Sequence, residues 1–158
     1  MNNEKLTTEE TENKLFEVIL EESEEITKER FFKILASKED GLTLTISRLG
    51  VTFVSKWKND QGEKPSGFFI DYNFSTDGHD YTVGIYYNVG IPISEETFIL
   101  TSGMNIFKIL AVATDLSTAK RIKVTKSFLS ETLEGLTFKA ELGTGFNSFI
   151  INPIKRIE

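Results

Sequence analysis

From Leu42 the chain alternates with a period of two. Leu42, Leu44 and Ile46 interleave with Thr43, Thr45 and Ser47, after which Leu49, Val51 and Phe53 continue on the opposite parity. Successive strand side chains point to opposite faces, so this switch around Arg48 to Gly50 predicts a bulge or bend within one long strand. A second strand is predicted over Gly67 to Ser75, with Phe68, Ile70, Tyr72 and Phe74 on one face and Phe69, Asp71 and Asn73 on the other. Thr76-Asp-Gly-His-Asp80 supplies a turn. Tyr81, Val83, Ile85, Tyr87 and Val89 then line a third strand, leaving Thr82, Gly84 and Tyr86 outward, so the pair forms a hairpin.

Elsewhere the period is helical. Thr7-Thr-Glu-Glu10 has capping-box spacing and predicts a helix from about Thr8, with an apolar stripe of Leu15, Phe16, Val18, Ile19 and Leu20. Glutamates from Glu9 to Glu25 form its solvated face. Phe31, Phe32, Ile34 and Leu35 fit a helix, the favoured assignment, although Phe32, Ile34 and Ala36 also fit a strand before the turn at Lys38 to Gly41. Met104 to Leu116 is a helix candidate. The basic link Lys120 to Lys126 carries a short strand at Ile122 and Val124, and Ser127 to Glu134 is a helical piece capped by Gly135. A strand from Leu136 to Leu142, the turn Gly143-Thr-Gly145 and a last strand ended as an edge by Pro153 complete the order.

An acidic helix, three strands, a helical insertion and two strands predict a mainly β (α+β) fold. The best match is an OB-like five-stranded barrel with the helical insertion between strands 3 and 4. An α+β sandwich with its helices on one sheet face buries the same residues. The domain reading is an acidic helical arm over residues 1–40 and a barrel domain over 41–158.

Charge sharpens that division. Of the formal net charge of -6, residues 1–40 contribute 12 acidic and 6 basic side chains, whereas the remaining residues hold 12 of each. The excess therefore sits in the arm, and the rest is free to sort its charges into faces. With no Cys there is no disulfide framework, thiolate metal site or cysteine nucleophile. The start Met1-Asn-Asn-Glu-Lys5 lacks the form of a signal peptide and no apolar run reaches membrane-span length, so a cytoplasmic location without a membrane is expected.

Catalytic chemistry is poorly supplied, and the expectation is a protein that is not an enzyme, with no cofactor and no metal. His79, the one histidine, lies in a turn sequence, where Asp77 and Asp80 offer at most a mixed carboxylate site. Asp71, Asn73, Ser75 and Asp77 have calcium-loop spacing, but Thr76 replaces the loop glycine and no Glu stands at Thr82. Gly143-Thr-Gly145 lacks the third glycine of a dinucleotide cradle, because Ser148 holds its place.

Binding of single strands needs cations for phosphates and flat aromatic faces for bases. Lys56, Trp57 and Lys58 interleave both beside a polar loop, Phe69 and Tyr86 lie opposite the main apolar stripes, and Lys139 is outward on the fourth strand. Arg48 and the Lys120 to Lys126 cluster extend such a groove. Each also has a plain structural account: Phe69 packing beneath the N-terminal helix, Tyr86 capping a minor core, lysines solvating the surface.

The Phe68 to Phe74 and Tyr81 to Val89 pair, followed by Phe107-Lys-Ile-Leu-Ala111 and Leu133-Glu-Gly-Leu-Thr-Phe-Lys-Ala140, resembles small phage-encoded OB-type single-stranded DNA-binding proteins in pattern over about Leu42 to Ile154. The resemblance implies a role in DNA replication or recombination, in the host cytoplasm if the chain is phage-encoded. Its nucleic-acid-binding residues would be Arg48, Lys56, Trp57, Lys58, Phe69, Tyr86 and Lys139. The acidic arm departs from the family, whose acidic tail is commonly C-terminal; it is read as a dock for a replication or recombination protein. A homo-oligomer is compatible with this reading. The alternative is an acidic interaction or DNA-mimic module whose Glu-rich helix acts on a basic partner.

Overall fold

The computed structural model describes residues 23–52, 58–59, 62–63, 66–90, 93, 97–116, 118–145 and 148–158. The elements are β1 (Glu24–Glu25), α1 (Lys28–Ala36), β2 (Leu42–Thr52), β3 (Lys58–Asn59), β4 (Gly62–Glu63), β5 (Ser66–Thr76), β6 (His79–Gly90), β7 (Thr97–Thr101), α2 (Asn105–Ala113), β8 (Arg121–Thr125), α3 (Lys126–Leu133), β9 (Thr137–Thr144) and β10 (Phe149–Arg156). Six strands form one sheet in the order β1-β6-β5-β2-β9-β10, with β3-β4 and β7-β8 as separate two-stranded ladders.

This corrects the expected five-stranded OB-like barrel: the fold is mainly β, but the sheet is open. Closure would need β6 to pair with β10, and no such pairing exists among the described residues. Two contacts occupy parts of the facing edges. β1 runs parallel to β6 at Tyr81 and Thr82 and occupies that end of its edge. On the other side Asn105 Nδ2 donates to Ile151 O at 2.8 Å, so a side chain at the start of α2 takes an edge carbonyl of β10. A cavity of about 220 Å³, lined by Ile85 to Asn88 and Ser148 to Ile151 among others, lies between the two edges. Glu24 and Glu25, expected on a solvated helix face, instead form β1.

The central alternation holds. Phe68, Ile70, Tyr72 and Phe74 of β5 and Tyr81, Val83, Ile85 and Tyr87 of β6 are all buried. Asp77 and Gly78 both have positive φ, 53° and 80°, as the two-residue turn joining these strands requires. The parity switch in β2 is a register shift between Ile46 and Arg48, which leaves Ser47 as the extra residue. There β2 parts from β9: Gly135, at φ 89°, donates to Ile46 O, and Glu134 Oε2 accepts from the Leu49 N–H at 3.0 Å. A side-chain acceptor thus replaces the lost ladder partner.

One core fills the inner side of the sheet. Thr27 caps α1 by accepting from Arg30 N at 3.1 Å, and the helix buries Phe31, Phe32 and Leu35. Phe31 meets Phe74 edge-on at 5.4 Å between centroids. Ile106, Phe107, Ile109 and Leu110 of α2 and Leu129 and Leu133 of α3 join the same cluster. At its centre the Tyr72 and Tyr87 hydroxyls share a hydrogen bond of 2.7 Å, which satisfies two polar groups that would otherwise be costly to bury. β7 was not foreseen; its Phe98 and Leu100 alternate inward over only five residues.

Candidate nucleic-acid interface

The outer face of the sheet carries the polar alternates of its strands, with two large aromatic exceptions. Phe69 on β5 and Tyr86 on β6 are direct cross-strand partners and are 41% and 45% exposed. Both rings reach across glycines of the neighbouring strand. A Cβ at Gly84 would lie 2.4 Å from Phe69 Cε1, and one at Gly67 would lie 2.3 Å from Tyr86 Cζ and Oη. Each ring therefore leans diagonally over a residue of the opposite strand that has no side chain, the reach expected of aromatics across an antiparallel pair. Gly50 of β2 stands beside Phe69 on the other flank. Phe69 thus lies on the outer face, 41% exposed; the N-terminal helix expected from about Thr8 falls outside the described residues.

Arg48 lies next to this pair. Its Nε donates to Asp71 Oδ2 at 3.1 Å, and Ser47 Oγ donates to Asp71 O at 3.1 Å. The Arg48 side chain is 72% exposed against 22% for Asp71. An exposed pair of this kind contributes about 0–1 kcal/mol, so its main effect is orientation. The terminal guanidinium nitrogens of Arg48 have no described partner and remain donors for an anion.

The other expected residues are dispersed. Lys139 shares the outer face, opposite Thr43 of β2 and Lys155 of β10. It is not beside the rings: Thr43 is seven residues from Gly50 along β2, roughly 23 Å at the usual strand rise. Lys58 lies in β3 opposite Glu63, on a separate ladder from Phe69. Lys56 and Trp57 fall outside the described residues. Lys120, Arg121, Lys123 and Lys126 belong to β8 and its flanks, on the β7-β8 ladder and not on the main sheet. Lys155 was missed. The register shift between Pro153 and Lys155 sets it opposite Lys139, whereas the sequence pattern ends the strand at Pro153.

No described feature assembles a metal site around His79. Asp77 is held by Lys38 Nζ at 3.0 Å, and Asp80 accepts from Ser75 Oγ, so the two flanking carboxylates are engaged separately. Among the described residues no group of three or more His, Asp or Glu side chains converges as a metal site. None of the described helices is long and apolar enough to cross a membrane.

Comparison with protein-family models, curated proteins and solved structures finds no match. The functional reading therefore rests on the chemistry of the sheet face.

Proposed function

We infer that the chain binds single-stranded DNA on the outer face of β5 and β6, by stacking bases on Phe69 and Tyr86. The observation that carries this reading is the exposure of two rings that oppose each other across adjacent strands, with glycines keeping the surrounding surface low. Any base offers a π face, so such a platform tolerates sequence. Arg48 supplies the nearest phosphate contact, and Lys139 with Lys155 a second basic point farther across the sheet. Because these cations are few and spread out, stacking supplies most of the affinity and the salt dependence is shallow. The role is non-enzymatic and cytoplasmic, in DNA replication or recombination.

Titration of labelled single-stranded and duplex oligonucleotides at several salt concentrations tests the reading. Preference for the single strand, weakened modestly by salt, is expected. Equal binding of both forms, or binding of neither, sinks it.

A further inference from the structure

Beside Phe69 lies a hollow of about 360 Å³, bounded by Phe69, Asp71, Thr82, Gly84 and the segment Glu25 to Thr27. It exists because of the way β1 ends. Glu24 and Glu25 pair with Tyr81 and Thr82, Ile26 N donates to Thr82 O at 2.9 Å, and Thr27 then turns the chain into α1. Beyond Thr82 the backbone of β1 departs from β6, and Gly84 puts no side chain into the space left. The Phe69 ring and the Asp71 carboxylate reach over Gly84, so the hollow has an aromatic side, a carboxylate beside it and an open mouth at the sheet surface.

Its polar groups are unevenly available. The Thr82 hydroxyl is bonded to Asn73 Oδ1 at 2.9 Å and to Ser23 Oγ at 2.8 Å, and Thr27 Oγ1 is used as the cap of α1. Asp71 differs. Its Oδ2 accepts from Arg48, while Oδ1 is the polar atom nearest to where a Gly84 side chain would stand, at 2.9 Å from that Cβ position. A carboxylate has acceptor capacity beyond one bond. A base stacked on the Phe69 ring would bring its hydrogen-bonding edge to a carboxylate acceptor held in place by Arg48.

We propose that this hollow reads the base stacked on Phe69, and that Asp71 selects bases with an exocyclic amino donor, cytosine over thymine among the pyrimidines. The proposal rests on the stacking reading above and adds a specificity residue to it. The chemical basis is that cytosine presents an N4 amino donor where thymine presents the O4 acceptor, and an acidic side chain accepts from the first and repels the second. The two pyrimidines are alike in size, so the contrast isolates the contact from stacking area.

The test measures binding of the full chain to oligo(dC), oligo(dT) and an oligomer of 5-methylcytosine, for the wild type and for Asp71→Asn. The 5-methylcytosine oligomer carries the methyl group of thymine and the amino group of cytosine, so it separates the two. Both amino-bearing oligomers are expected to bind about five-fold or more tighter than oligo(dT). In Asp71→Asn, whose amide offers donor and acceptor alike, the ratio is expected to fall to within about two-fold. Equal binding of all three oligomers by the wild type overturns the base-selection proposal while leaving the stacking reading intact. A preference retained in Asp71→Asn overturns the assignment to this residue. Should that variant fail to fold, Asp71→Ser takes its place for the residue assignment, and the wild-type comparison of 5-methylcytosine with thymine still decides the base selection. Absence of binding to every oligomer overturns both readings together.

Discussion

Phe69 and Tyr86 oppose each other across β5 and β6, and each ring covers a glycine of the other's strand: Phe69 covers Gly84, and Tyr86 covers Gly67. Aromatic side chains on a solvated sheet face normally stand among other side chains. Here the diagonal neighbours have been reduced to hydrogen, so the rings lean over the sheet while remaining about two-fifths exposed, at 41% and 45%.

The two glycines are expected to differ when substituted. At Gly84 a new Cβ meets the Phe69 ring and the Asp71 carboxylate, both of which can move. At Gly67 it also lies 2.5 Å from Tyr87 O, a backbone atom within the sheet. Gly67→Ala is therefore expected to lower stability by about 1–3 kcal/mol, and Gly84→Ala by less. Both are expected to weaken DNA binding, since each displaces a ring. Denaturant unfolding set beside binding titrations checks the order.

Burial gives the core a pH signature. Tyr72 and Tyr87 both have their phenol pKa raised by burial, with the bond between them a lesser influence. In the unfolded chain a tyrosine loses its proton near pH 10. Above that value the unfolded state gives up protons that the folded state keeps, so stability is full below about pH 10 and falls as pH rises through the range leading to the raised folded values. The slope approaches roughly 1.4 kcal/mol per pH unit for each tyrosine. Replacing both residues by Phe removes the hydroxyl pair together, and the alkaline loss in urea unfolding is expected to shrink accordingly.

Much of this arrangement was legible in the sequence, for a physical reason. Where a strand has one dry and one wet face, as in Phe68 to Phe74 and Tyr81 to Tyr87, burial imposes a period of two and fixes which residues point out. Phe69 and Tyr86 were placed outward that way, and the parity switch read at Arg48 to Gly50 is a bulge slightly earlier, at Ser47. Pairing partners were less legible. β1 has two exposed glutamates and no apolar period, and nothing in Asn105 announces that its side chain takes the Ile151 carbonyl. Those contacts lie at the open edges, so the sequence pattern suggested closure where the sheet stays open. The stacking glycines were present as letters, but their meaning depends on the diagonal register, which a single strand does not reveal.

The buried face of α1 is a structural part of the core. Phe31 is fully buried and in contact with Phe32 and Phe74, whereas Phe149 is 56% exposed. Phe31→Ala is expected to cost about 3–5 kcal/mol, and Phe149→Ala no more than about 1 kcal/mol. Thermal or urea unfolding of the two variants tests the contrast, and similar losses would contradict the placement of α1.

The most direct measurement is single-stranded DNA affinity in the wild type, Phe69→Ala, Tyr86→Ala and the double variant, with unfolding curves taken in parallel. Each truncation is expected to cost about 1–3 kcal/mol of binding, the usual range for one stacked base. Stability is expected to change far less than for a buried Phe, since both rings are already partly in water. Wild-type affinity in the double variant, with the fold intact, would contradict a binding face built on Phe69 and Tyr86.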